Sequence, residues 1–554
     1  MKMNEIEPQY LFKKKDWFFL GFTMFFAMGS SLVLLLPQNF IGDDGVYYAR
    51  VAANLMAGKG ICANPGEVYL IHPPFYPLLI GLFNFFLRNL EFSGHLVSIV
   101  SFTLTIIPLF YIAASVYSKN TAYWVTILYI TNGFLLIHSP FVTADMPFTL
   151  LIYLGLAALY PVIQGKLDYA GRHVLVWSFL MGLAYLTRPE GLFFWLVGIF
   201  VLFFFTPREL KFKKRFLWVA CSAGVFLTFL IPYASFVYRQ SNRFQLSQGV
   251  TEILIKRQMD ILPSPGYIEA KKIYLGLTDN ATRRKMDELV ENFSLLEYLR
   301  KENFSVVRSA FSSIRPRVFE LLKYWYAGLG FFLAIVSFLA IPWGSRRKIG
   351  ELLFLLYVAT LSLKLFSQFA PRYFLPYFPL FLLWTGNGID VLRQWVKACF
   401  GISEKSSRYL AVGACLTLAV PSAWYLHRTI TEFPLAFEYK ELGLWMKKNI
   451  SDVDKEAVLS RQPAVNFYSG TKILKLPYVK SLDDLRTFMT YQHARYLVVS
   501  TDLDHPMVEA YATFLDANYP ASFGFVRKKI LKNRKKTTLF LYEFLGLPIV
   551  APVV

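Results

Sequence analysis

Long apolar runs separated by short polar connections organise most of the chain. They fall at 17–36, 95–117, 121–138, 146–163, 174–187, 189–205, 216–238, 322–343, 350–367, 373–391 and 409–427. About twenty apolar residues in a helix cross ~30 Å of hydrocarbon, and fewer suffice inside a bundle. The pattern therefore predicts roughly eleven membrane-spanning helices. Two runs are short and divided by Thr187-Arg188-Pro189. Such a break must be sheltered by protein or lie at the aqueous interface. The run at 17–36 is long for a signal-peptide core and no small-residue cleavage site follows it, so it reads as a retained first helix.

After residue 428 the pattern changes. Residues 438–449 and 481–493 read as amphipathic helices, and 457–460, 495–500 and 538–543 as strands. Alternating strands and helices predict a small α/β domain. The expected fold is mainly α and polytopic, with a transmembrane domain over 1–430 and an α/β domain over 431–554. Outer loops are expected at 38–94 and 239–321, the second with helical patches such as 283–300. No internal repeat is evident, which weakens the case for a transporter built from inverted halves.

Composition supports the membrane reading and assigns the charge a role. Of 554 residues, 55% are hydrophobic and only 17% charged, too few charges for a soluble surface of this size. Disorder, collagen-like repeats and a disulfide-stapled secreted domain are excluded. Lys and Arg number 58 against 37 acidic residues, a net +21. No nucleic-acid motif accompanies that excess. It instead follows the positive-inside rule, with Lys13 to Lys15, Lys119, Lys166, Lys211 to Arg215, Arg346 to Lys348, and Arg393 to Arg408 on one predicted side. The N-terminus is then cytoplasmic and the C-terminal domain outside, the basic loops touching anionic membrane lipids. Cys62, Cys221, Cys399 and Cys415 form no C-x-x-C pair, so neither a disulfide framework nor a cysteine metal site is supported.

Ionisable residues are informative where they are scarce. Asp43-Asp44, Asp145 and Glu190 fall where outward helices emerge, with Arg50, Arg188, Lys364 and Arg372 near the same face. This describes a polar cavity at the outer membrane surface. Asp43, Tyr47, Arg50 and Asn54 recur at helical spacing on one polar face. Asp43 or Asp44 is either a helix cap or a functional carboxylate, and Gly58 can end that helix. His72, before Pro73-Pro74, is a loop histidine or a ligand for metal or substrate; no second His lies at metal-ligand spacing. Arg188 and Arg372-Tyr373 open apolar runs, either as interfacial snorkelling residues or as a phosphate clamp.

Together these segments resemble the protein O-mannosyltransferase-like glycosyltransferases of membrane fold type C, which include the bacterial aminoarabinose transferases acting on lipid A. The matching residues are Asp43-Asp44 with Tyr47-Tyr48, His72-Pro73-Pro74 with Tyr76-Pro77, and Thr143-Ala144-Asp145-Met146-Pro147. Gly182 to Gly191 (GLAYLTRPEG) and Pro371 to Pro376 (PRYFLP) complete the set. The likeness covers about 17–430; the α/β domain is a more variable attachment.

The resemblance implies transfer of a sugar from a polyprenyl-phosphate carrier to an acceptor hydroxyl outside the cytoplasm, with inversion. It makes Asp43 or Asp44 the base and Asp145 a second acidic position. Many relatives carry Asp-Glu where this chain has Asp43-Asp44, which leaves the choice between the two open. Tyr47, Arg50, His72, Arg188, Glu190, Lys364, Arg372 and Tyr373 are the expected substrate contacts. Some members bind a divalent metal, a ligand set this sequence does not complete; no other cofactor is implied. The acceptor is protein, lipid A or another glycan, and the expected setting is a bacterial inner membrane. The alternatives are a transporter or flippase for a lipid-linked or anionic solute, which needs no base, and an O-antigen ligase or related polymerase.

Overall fold

A computed structural model describes residues 12–165, 170–205, 212–241, 318–340, 347–361, 370–432, 436–477, 479, 481–501, 507–515, 523–532 and 538–546. Lys364, most of the expected loop 239–321 and its patch 283–300 lie outside them. The chain divides into two compact units, one of Met1–Asn39, Leu70–Thr251 and Val307–Pro434, the other of Phe40–Tyr69, Glu252–Val306 and Leu435–Val554. The first outer segment, residues 40–69, thus groups with the C-terminal residues.

In chain order the helices are α1 (Lys14–Leu35), α2 (Asp43–Met56), α3 (Phe75–Leu87), α4 (Leu90–Val116), α5 (Lys119–Thr131), α6 (Gly133–His138) and α7 (Asp145–Ile163). There follow α8 (Ala170–Thr187), α9 (Gly191–Phe205), α10 (Phe212–Ser241), α11 (Leu329–Leu339), α12 (Arg347–Ala359), α13 (Phe378–Phe400) and α14 (Glu404–Glu432). The last four are α15 (Phe437–Asn449), α16 (Ala464–Ser469), α17 (Leu482–Tyr491) and α18 (Met507–Leu515).

The larger unit is helical. Its interior is lined with aromatic side chains, and two buried tyrosines tie helices through carbonyls: Tyr129 donates to Phe102 O at 3.1 Å and Tyr153 to Pro376 O at 3.3 Å. Its outer surface is apolar too. On α1, Phe18, Phe22 and Phe25 are 80%, 62% and 80% exposed, a stripe at helical spacing that only hydrocarbon solvates well. Five described helices are long and apolar enough to cross a membrane, six if Val318–Tyr324 and α11, bent by 95°, count as one span. The expected run 121–138 is broken instead, because Asn132 is extended and its side chain accepts from Leu135 N at 3.0 Å, capping a new helix.

Helices approach most closely where glycine removes the side chain. A Cβ on Gly388 would strike the Leu333 carbonyl, so α13 and α11 meet backbone to backbone.

In the smaller unit, β1 (Cys62–Asn64) and β2 (Glu67–Val68) form a hairpin. A five-stranded sheet has the order β4-β3-β5-β7-β6, with β3 (Ala457–Ser460), β4 (Lys472–Lys475), β5 (Ala494–Ser500), β6 (Phe525–Lys532) and β7 (Thr538–Phe544). Strands β4, β3 and β5 run parallel; β7 is antiparallel to β5 and β6. The strands expected from the sequence are the inner three. The two missed are edges, one short (KILK) and one charged (FVRKKILK), which is how edge strands resist unwanted pairing. Leu459, Leu497, Val499, Leu485 and Met489 form the core on one face.

Across β5–β7–β6, Glu543 takes Arg495 at 2.7 Å and Lys528 at 2.6 Å. Burial alone would raise the Glu543 carboxyl; the hydrogen bonds from Lys528 and Arg495 outweigh it and hold the pKa below its ordinary value. A depressed carboxylate stabilises the fold above its unfolded pKa and loses that contribution as pH falls through the lower folded value.

Two outcomes are expected. Gly388→Val lowers the thermal midpoint of the purified chain, consistent with about 2 kcal/mol of overpacking; an unchanged midpoint would contradict the close approach. Glu543→Gln destabilises the chain at neutral pH, and the gap to the parent narrows below about pH 4 in denaturation series.

Candidate functional site

Three chain breaks in the helical unit carry charged residues to one place. The first is the start of α7, where Asp145 occupies the first turn after Ala144 and is only 2% exposed. An acid there suits the positive end of the helix dipole.

The second is the junction of α8 and α9. Pro189 lacks the N–H an ongoing helix needs, so α8 stops. Gly191 lets α9 restart against α8: a Cβ there would strike the backbone of Ala184 and Tyr185. Arg188 and Glu190 stand in the gap. The third is a 3-10 turn, Pro371–Phe374, which carries Arg372 and Tyr373 and is closed by Leu375 N donating to Arg372 O at 3.0 Å.

Arg188 joins these breaks. It pairs with Asp145 through one nitrogen and with Glu190 Oε1 at 3.1 Å through another, its side chain 14% exposed. Its guanidinium lies 5.8 Å from the Phe148 ring and 5.3 Å from Tyr373; Arg372 lies 5.8 Å from the same Tyr373 ring. Two cations thus share one aromatic ring. Below them Phe194 packs on Phe148 and Tyr377, whose hydroxyl is 3.0 Å from Thr360 Oγ1. The sequence expectations Asp145, Arg188, Glu190, Arg372 and Tyr373 are brought together here.

His138 was not singled out from the sequence. It ends α6, with Nδ1 2.8 Å from Phe134 O, its ring packed between Phe134 and Phe141, and close enough to Arg372 to feel its charge. A lone histidine after an apolar run carries no motif, so only the packing reveals it. His72 is half-buried just before α3, which starts at Phe75 after the Pro74 cap.

The other expected residues belong to the smaller unit. Asp43 and Asp44 form the first turn of α2, and Gly42 is the N-cap with no side-chain cap bond. Of the two alternatives for the aspartates, the helix-cap reading is therefore not met: neither is the N-cap residue. Gly58, at φ +71°, follows the helix end as expected. Tyr47 stacks on Tyr69 with centroids 5.2 Å apart, and Lys475 Nζ is 5.9 Å from its ring. Arg50 donates through Nη2 to Asn466 O at 2.6 Å and Thr471 O at 2.9 Å; burial pushes its pKa down. Among the described residues no three His, Cys, Asp or Glu side chains are grouped to hold a metal.

Residues 71–235 match the family model for dolichyl-phosphate-mannose-protein mannosyltransferase. That stretch carries the His72, Asp145 and Arg188–Glu190 motifs. Compared with curated proteins, the chain has no match. Among solved structures it is similar to the Archaeoglobus fulgidus oligosaccharyltransferase complexed with Zn and sulfate, at TM-score 0.59 and 13% identity over 94% of this chain and 72% of that one. AglB from the same organism, with an inhibitory peptide and a dolichol-phosphate, gives TM-score 0.59 and 13% identity over 97% and 75%. ArnT from Cupriavidus metallidurans bound to undecaprenyl phosphate gives TM-score 0.54 and 14% identity over 94% and 98%. The resemblance read from the sequence is thus borne out at the level of fold: the chain shares the architecture of type C membrane glycosyltransferases.

Removing one partner of a buried ion pair strands the other charge. Arg188→Met is expected to cost about 3 kcal/mol in denaturation of the purified chain. The double variant with Asp145→Asn should recover part of that loss. A double-variant loss equal to the sum of the Arg188→Met and Asp145→Asn losses would show that the pair is not coupled.

Proposed function

We propose that the chain transfers a sugar from a polyprenyl-phosphate carrier to an acceptor hydroxyl on the outer face of the membrane. The observation that carries this reading is the buried Asp145–Arg188–Glu190 cluster sharing Tyr373 with Arg372, in the fold of enzymes solved with dolichol-phosphate and undecaprenyl phosphate. The setting we propose is a bacterial inner membrane, with about eleven spans and the C-terminal domain outside, as basic inner loops require.

The chemistry divides among the residues by charge. An acceptor hydroxyl is a weak nucleophile, and a carboxylate within hydrogen-bond reach takes its proton as the new bond forms. We assign that role to Asp43 or Asp44. Attack opposite the departing phosphate inverts the anomeric carbon. The phosphate leaves as a stable anion, so it needs a fixed cation and no general acid.

Arg188 already answers two carboxylates, and taking the leaving charge would require it to release one. We assign the phosphate to Arg372, which shares the Tyr373 ring with Arg188, and give Arg188 the role of holding Asp145, Glu190 and that ring in place. Guanidinium suits phosphate through its paired donors. Lys364 and His72 remain proposed contacts of donor or acceptor. The sugar and acceptor are of the lipid-linked monosaccharide and hydroxyl-bearing lipid, glycan or protein classes.

The test is release of free polyprenyl phosphate from a purified carrier-linked sugar. At least one of Asp43→Asn and Asp44→Asn should abolish release while the chain stays folded. Full release by both single variants would remove the proposed base. Movement of the intact carrier-linked sugar across the bilayer, without release, would mark a flippase instead.

A further inference from the structure

The helix that carries Asp43 and Asp44 has an unusual support. The ties fixed by hydrogen bonds run to a helix, the turn after it and an edge strand more than four hundred residues later in the chain. Ile41 N donates to the Tyr468 hydroxyl at 3.1 Å, just before α2. Arg50, two turns into α2, donates to the carbonyls of Asn466 and Thr471. Asn64, in the hairpin that follows, both accepts from Ile473 N at 2.9 Å and donates to Ile473 O at 3.0 Å. Its amide thereby pairs with the free edge of β4 as a neighbouring strand would. Lys472 adds an ion pair to Glu67 at 2.8 Å.

The receiving side is itself rigid. Asn466 on α16 donates to Val458 O at 2.9 Å and Lys472 O at 2.7 Å, locking α16 to β3 and β4. The carbonyls that take Arg50 are therefore fixed by the sheet. Asp43, Tyr47 and Arg50 share one stripe of α2. Arg50 clamps its lower end and Lys475 covers Tyr47 in the middle. Asp43 and Asp44 head it.

We infer that the C-terminal α/β domain is the positioning element for the proposed base: edge strand β4 and helix α16 hold α2 through Arg50 and Asn64. Arg50 then acts through α2, not as a ligand of the carrier phosphate. The inference rests on the reading of Asp43 or Asp44 as the base. A carboxylate that must meet a hydroxyl in one geometry loses rate steeply when its helix shifts, by about a hundredfold for 1 Å.

The experiment uses the full chain in lipid nanodiscs, with Arg50→Ala, Arg50→Lys and Asn64→Ala. Hydrogen exchange is followed across α2 and across β5 and β7, alongside kcat and KM for the carrier-linked sugar. Faster exchange of α2 with unchanged β5 and β7 is expected in both alanine variants, showing a folded domain with a loosened helix. Arg50→Ala should lose kcat by about tenfold to a hundredfold with KM within about twofold, and Arg50→Lys should recover part, since an ammonium still donates to carbonyls. Unchanged α2 exchange in both alanine variants overturns the clamp. So does a raised KM with kcat retained, which would make Arg50 a donor ligand. Full activity of both Asp43→Asn and Asp44→Asn would instead sink the base reading, and the exchange data would still decide the clamp.

Discussion

A charge in hydrocarbon cannot be left alone, and that constraint organises the helical unit. Among the described residues, three of its buried acids or arginines anchor sets of charges that neutralise one another. Asp16 accepts from Lys119, Tyr123 and the Lys13 backbone. Asp390 and Glu404 close on Arg393, and Ser118 reaches Asp390 at 3.1 Å. Asp145 and Glu190 close on Arg188. Each set ties residues of more than one helix, so the few charges help specify which helices meet while Phe, Tyr and Trp fill the space between. The first two sets join residues of the basic connections expected on the inner side. The third sits at three helix breaks and adds Arg372 across one aromatic ring, which sets it apart as a place for chemistry.

The same constraint explains the breaks. A helix that stops in or near the bilayer must give its freed backbone groups partners. At Arg188–Glu190 the turn does so itself, with Gly191 N donating to Arg188 O at 3.0 Å and Phe193 N to Glu190 O at 2.9 Å. Proline ends one helix, glycine lets the next start close by, and the two charged residues between them pair with each other. Local backbone chemistry and the placement of the candidate site are thus one design.

Much of this was legible in the chain because hydrocarbon makes a harsh reader of sequence. The apolar runs mark the helices, and the motifs around Asp145, Arg188 and Arg372 point to residues that do meet. What could not be read is tertiary in origin. Asn132-Gly133 breaks an apolar run by capping, which hydropathy does not register. The spacing of Arg50 marks it as a cation on a polar helix face, but not that its Nη2 donates to two carbonyls more than four hundred residues on. His138 gains its setting only from Phe134, Phe141 and Arg372. Edge strands β4 and β6 carry the short length and charge that keep edges from aggregating, and that hide them from a hydrophobic pattern.

The central claim is that a carrier phosphate is received at this cluster by Arg372, with Arg188 as its scaffold. Equilibrium binding of a short-chain polyprenyl phosphate to the purified chain tests it most directly. Arg372→Gln should weaken binding by about tenfold or more, equivalent to at least ~1.4 kcal/mol, in a protein whose thermal midpoint is retained. Binding unchanged by Arg372→Gln would contradict the account.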